Sequence, residues 1–146
     1  GIATAVLGGA DAGLISAAAC LIGGLWLSPD LDTHSNALRR WGPLRRLWWP
    51  YRRLIPHRSL WSHGPLIGTA LRLLLLLSWW VVLSLLIGWP TNAGLPPLIS
   101  WLKQQPQQAI ALAIGLEASA WLHLILDGDP WPVEWSPRRL GHRRRR

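Results

Sequence analysis

The residues able to do chemistry in this chain are few, and they are clustered. Ser28-Pro29-Asp30-Leu31-Asp32-Thr33-His34 sets two carboxylates and an imidazole at alternate positions. His57 and His63 form a second cluster, His123 and Asp127 a third, and each lies at the edge of an apolar segment. His123 and Asp127 are four residues apart, so on a helix they share one face a turn apart. Imidazole and carboxylate together suit zinc, manganese or iron better than calcium. Read alone, the His123/Asp127 pair is more simply a histidine hydrogen-bonded to an acid. The setting changes that balance. Asp127 closes one expected helix, and Asp30 and Asp32 lie just past another, where the helix dipole already favours cations. Carboxylates there need a positive partner. Arg58 could supply one, as could a divalent ion, but arginine has no use for the accompanying imidazoles. The candidate ligands are Asp30, Asp32, His34, His57, His63, His123 and Asp127. That is more than one tetrahedral ion requires, so a two-metal site with outer supporting residues is expected. His142, in a basic tail, reads as solvated.

Apolar segments must position these clusters. Leu66 to Ile87 is 22 residues with a single charge, Arg72. At about 1.5 Å per residue it reaches roughly 33 Å, enough for a hydrocarbon core of about 30 Å. Pro65 suits its first turn, and Gly88-Trp89-Pro90 is a stop signal. A second span is expected over 109–126, spotted with Glu117, Ser119 and His123. A third covers 14–27, and residues 8–13 (Gly-Gly-Ala-Asp-Ala-Gly) read as a turn, leaving 1–7 as the tail of an earlier apolar segment. Residues 90–108 read as a loop. Arg72 and Glu117 both lie roughly 14 Å inside their spans, where unpaired charge is costly, so they are expected to pair with each other. Glu117 sits about 120° around its helix from His123, which argues against a shared metal.

The charge is lopsided, with 15 Lys and Arg against seven acids and a pI near 11.6. Such a balance points to polyanions. The blocked apolar runs favour an anionic lipid surface, and nucleic acid is the weaker reading. Residues 38–58 carry seven Arg interleaved with Trp41, Trp48, Trp49 and Tyr51, a composition suited to the headgroup layer. Cys20, the single cysteine, has no internal disulfide partner and reads as a buried thiol. Arg-rich loops stay cytoplasmic, so 66–87 should run outward and both 14–27 and 109–126 inward. All three clusters then fall on the cytoplasmic face.

Ser-Pro-Asp-Leu-Asp-Thr-His-Ser, Arg-Arg-Trp-Gly-Pro-Leu, His-Arg-Ser-Leu-Trp-Ser-His-Gly-Pro-Leu-Ile-Gly-Thr and Glu-x5-His-x3-Asp together resemble a family of uncharacterised bacterial integral-membrane metal-binding proteins. The chain is similar, further off, to membrane-bound metal-dependent hydrolases with Pro-Asp-Ile-Asp, His-Arg-x-x-x-His and His-x-x-x-Asp elements. More remotely it resembles the zinc-dependent phospholipase C and single-strand nuclease superfamily. The resemblance covers roughly residues 14–129. It implies metal-ligand positions at Asp30 or Asp32, His63, His123 and Asp127, with His57 next. It also implies a Thr-His-Asp element ahead of a first helix, which has no counterpart in these residues.

The combined expectation is an all-α integral membrane bundle of about three spans, with a partial N-terminal helix and a basic interfacial linker at 38–58. Residues 1–129 form the metal-binding domain and 130–146 a basic cytoplasmic tail, in the bacterial inner membrane. The expected activity is hydrolysis of a phosphoester at the cytoplasmic face, with zinc or manganese and with Asp30 or Asp32 as base. Arg58, Arg72 and Glu117 are expected as ion-pair or supporting residues. The alternative is a non-catalytic protein whose His/Asp/Arg cluster clamps helix ends together.

Overall fold

A computed structural model describes residues 1–88, 90 and 95–128. The expected tail at 130–146, with His142, lies outside them. The described chain is all helical. Its elements are α1 (Ile2–Trp26), α2 (Asn36–Arg40), α3 (Trp49–Leu54), α4 (Leu60–His63), α5 (Ile67–Leu86), α6 (Leu95–Gln104) and α7 (Pro106–Leu126), with 3-10 segments at Pro29–Asp32 and Gly42–Trp48. Three helices are long and apolar enough to cross a membrane: Gly8–Asp32, Ile67–Leu86 and Pro106–Leu126.

α1 is interrupted at Gly9 (φ 83°), inside the stretch that reads as a turn. The residues before the break fold back, so that Ala5 lies against Gly13 and Gly1 near Ala17. Beyond the break α1 packs on α7, its main partner. Ser16 and Ala19 meet Gly115, and Gly23 meets Ser119. Both numbers rise together along the contact, so the two helices run parallel. Lipid offers little hydrophobic drive for helix association, so close backbone approach through small residues has to provide it. A Cβ on Gly115 would collide with the Ser16 carbonyl, and one on Gly23 with the Ser119 hydroxyl. By contrast α5 is largely uncovered, with Leu74, Leu85 and Leu86 exposed.

The linker folds over a small core of its own. Leu31, Ala37, Leu38, Trp48 and Tyr51 are buried together, and Leu71, Leu75 and Leu76 of α5 pack against them. Trp41 meets Trp48 edge-on at 5.1 Å, and Trp48 meets Tyr51 at 5.8 Å. Composition alone puts these aromatics in the headgroup layer; in the structure Trp48 and Tyr51 are interior. Burial pushes the Tyr51 phenol above its usual pKa. The linker also closes the end of α1. Arg40 donates to the Leu25 carbonyl (3.1 Å) and Trp41 to the Trp26 carbonyl (2.9 Å), satisfying acceptors the last helical turn leaves free. Trp79 on α5 donates to the Leu47 carbonyl at 2.8 Å.

Residues 90–108 are not simply a loop. Leu95–Gln104 is helical because Pro96 and Pro97 fall in its first turn, where a missing N–H costs nothing. α7 accordingly begins at Pro106 rather than 109.

The α1–α7 contact sets a measurable expectation. Gly115→Val should destabilise the detergent-solubilised protein by about 1–3 kcal/mol, read as a lowered thermal midpoint by circular dichroism. Gly24→Ala, where the nearest atom to a new Cβ is 4.0 Å away, should be neutral or mildly stabilising.

Candidate metal centre

Ser28 to Ser35 forms a compact turn held by its own hydroxyls. The Ser28 hydroxyl accepts from the Asp30 N–H (3.4 Å), and the Thr33 and Ser35 hydroxyls both donate to the Asp30 carbonyl (3.1 and 2.8 Å). Leu31 points into the linker core, fully buried, which leaves Asp30 and Asp32 to face the other clusters.

The second cluster is positioned by α4. Ser59 and Ser62 form a reciprocal cap. The Ser62 hydroxyl donates to the Pro56 carbonyl (3.1 Å) and accepts from the Ser59 N–H (3.1 Å). It also lies 3.3 Å from the Ser59 carbonyl, 3.4 Å from the Ser59 hydroxyl and 2.8 Å from His63 Nδ1. With the ring proton on Nδ1, His63 donates to this hydroxyl and its Nε2 lone pair is free to bind an ion. Asp32 Oδ2, 3.7 Å from the same Nδ1, favours the same tautomer.

His63 Nε2 faces Asp30 Oδ1 at 3.5 Å. His123 Nε2, from the last turn of α7, lies 3.4 Å from the same Asp30 oxygen and 3.4 Å from Asp127 Oδ2. Neither imidazole nitrogen has a hydrogen-bond partner, though both are shielded from solvent. A set of well-made His–Asp hydrogen bonds would not look like this. Ligands at about 2.0–2.2 Å from one tetrahedral ion stand roughly 3.3–3.6 Å apart, and the observed separations fall in that range. Asp30, His63 and His123 therefore fit a small divalent ion, with Asp127 beside His123.

Asp32, His57 and His63 form an adjoining group of different character. His57 Nδ1 and Asp32 Oδ1 are 3.0 Å apart, an ordinary hydrogen bond, and the Asp32 side chain is wholly shielded. Because His63 is shared, the arrangement suits a carboxylate that orients an imidazole ligand from behind.

One of the expected ligands stands elsewhere. His34 is turned away from the cluster, exposed, and accepts from Arg52 at 2.6 Å. Arg58, at φ 56°, sits between His57 and Ser59. The expected direct pairing of Arg72 with Glu117 is not seen among the described residues. Arg72, 2% exposed, donates to the Ser62 carbonyl and to the Thr69 hydroxyl, each at 3.0 Å. It fixes the backbone just ahead of His63. Glu117 instead accepts from the Leu66 N–H at 3.0 Å. Leu66 has φ 60°, and the Ile67 N–H donates back to the Pro65 carbonyl (2.6 Å), a strained γ-turn that opens α5. Depth in the membrane indicated that both charges need partners, but not that backbone groups would provide them. Ser62 and Ser35 also support the site, though residue type alone does not single them out. The Ser59-x-x-Ser62 spacing is the sequence signal for the former.

Residues 1–136 match a family described as uncharacterized metal-binding proteins (DUF2227). The chain belongs to that family. Its metal-binding description agrees with the unpartnered nitrogens of His63 and His123. Over 54 residues the chain is 43% identical to an uncharacterized protein of Aquifex aeolicus (strain VF5), covering 36% of this chain and 38% of that one. No solved structure matches.

Metal binding should depend on the hydroxyl behind the ligand. Ser62→Ala is expected to weaken metal affinity at least about tenfold, measured by competition with a chromophoric chelator, while His34→Ala leaves affinity unchanged.

Proposed function

We propose that this family member is a metal-dependent hydrolase of the bacterial inner membrane, acting on a phosphoester at the cytoplasmic face. Zinc or manganese is the proposed ion, since two imidazoles and a carboxylate match their preferences. The observation carrying this reading is the pair of unpartnered Nε2 atoms around Asp30 Oδ1. Three protein ligands are also the usual complement of a catalytic rather than a structural zinc site. When bound, such an ion supplies Lewis-acid polarisation and acidifies water at the site.

The chain's own residues then have distinct roles. Asp30, His63 and His123 hold the ion. Asp32 and Ser62 orient His63, and His57 orients Asp32. The role of base, given on sequence grounds to Asp30 or Asp32, fits Asp32 badly because its side chain is shielded. Asp127, 38% exposed and beside His123, is the carboxylate with access to a water molecule and the room to take its proton. The cytoplasmic assignment rests on the arginine content of the linker and tail, and the same arginines favour anionic headgroups as the surrounding surface.

One observation favours a second reading, a non-catalytic clamp. The ligands come from the ends of α1, α4 and α7, so an ion there would tie three segments distant in sequence.

Detergent-purified protein should contain zinc or manganese by mass spectrometry, lost in His123→Ala along with hydrolysis of bis(p-nitrophenyl) phosphate. Asp127→Asn should keep metal but lower turnover at least about 100-fold. Metal-loaded protein that hydrolyses no phosphoester, yet unfolds at lower temperature when chelated, supports the clamp. Protein that never binds metal overturns both readings.

A further inference from the structure

On the far side of the Asp30–Ser35 turn lies a cavity of about 340 Å³, at the small end of the usual range for ligand sites (roughly 300–1,000 Å³). Its walls include Arg39, Arg45, Arg46, Arg52, His34 and Ser35. The arginines come from three elements: α2, the 3-10 segment Gly42–Trp48 and α3. No acidic residue lines the cavity. Among the described residues, none of these four guanidiniums has a carboxylate within 4.0 Å. Four like charges around one small space repel one another; water screens part of this because Arg39, Arg45 and Arg46 are exposed, and an anion among them relieves the rest.

Two details indicate what kind of anion. Arg52 donates through Nη2 to His34 Nε2 at 2.6 Å, while its Nε is shielded and without a partner. The contact to His34 fixes the Arg52 guanidinium at the cavity wall. Ser35 is already committed. Its hydroxyl donates to the Asp30 carbonyl and accepts from the Leu38 N–H, so it shapes the rim without supplying a donor. A carboxylate can satisfy one guanidinium bidentately. Guanidiniums arriving from three directions need a group with several charged oxygens, and a phosphomonoester has three terminal oxygens and nearly two negative charges. Trp49 adds an apolar wall for whatever carries the phosphate.

We infer that this arginine-lined cavity is a binding site for a phosphomonoester group, separate from the His/Asp centre. It stands whether or not that centre is hydrolytic. The phosphate could belong to a soluble ester or to a lipid headgroup.

The test uses the full chain in phosphocholine nanodiscs with chelator present, so that phosphate held by metal does not count. Titration calorimetry with glycerol 3-phosphate should show saturable binding. Arg46→Gln and Arg52→Gln should each weaken it about tenfold or more, the loss of a charge-assisted hydrogen bond. Arg53→Gln is the charge-matched control, since Arg53 stacks on Trp49 at 5.6 Å but does not line the cavity, and it should change binding less than about twofold. Arg46 is exposed, so its variant keeps the test valid if Arg52→Gln folds poorly. In nanodiscs doped with phosphatidic acid, native mass spectrometry should count lipid retained. Retention that falls in Arg46→Gln but not in Arg53→Gln, or that blocks glycerol 3-phosphate, identifies a lipid source. Saturable binding unaffected by the lipid identifies a soluble one. No saturable binding in either arm, or equal losses in all three variants, means diffuse attraction to charge and overturns the proposal.

Discussion

A shielded lone pair with nothing to bind is the constraint on which the site depends. His63 Nε2, His123 Nε2 and Asp32 Oδ2 are all out of solvent and without hydrogen-bond partners. Each such atom costs on the order of 1–3 kcal/mol. A chain under no other demand would rotate a ring or admit water. Here the His63 ring cannot rotate freely, because Ser62 and Asp32 hold it from behind. The surrounding elements are what make the cost sustainable. The Asp30 carbonyl gathers two hydroxyls, Arg72 grips the Ser62 carbonyl, and α7 delivers His123 from a helix locked against α1 by glycine. A cation removes the cost at the two nitrogens at once, which is why metal binding and the local fold are one problem rather than two.

Much of this was legible from residue type and spacing. The three clusters could be read because imidazole and carboxylate at the ends of apolar runs are chemically conspicuous, and the parallel course of α1 and α7 follows from loop charge. The supporting residues were harder to see. Ser62 acts through a hydroxyl network whose direction depends on which carbonyl takes its proton. Trp48 and Tyr51 lie in a segment broken into short helical pieces, where no single periodicity tells an inner face from an outer one. Pro96 and Pro97 concealed α6, because the same residues end one helix and begin another. For Arg72 and Glu117 the energetic need for partners was clear, but backbone groups met it, and they carry no signature in sequence.

The linker shows how a basic segment can be more than a charged surface. Its arginines are mostly exposed, while Leu38, Trp48 and Tyr51 form a core against α5. Packing therefore fixes where the guanidiniums stand, and a composition suited to a lipid surface becomes a set of directed donors.

The γ-turn at Leu66 has a mechanical result. α7 holds the chain between α4 and α5 at two points: His123 opposite His63 through Asp30, and Glu117 on the Leu66 N–H. Six residues separate them along α7, about 9 Å of helix. One point of attachment would leave the segment free to swivel. Two such points act as a bracket, so the start of α5 cannot turn about its own axis without disturbing the histidine that precedes it.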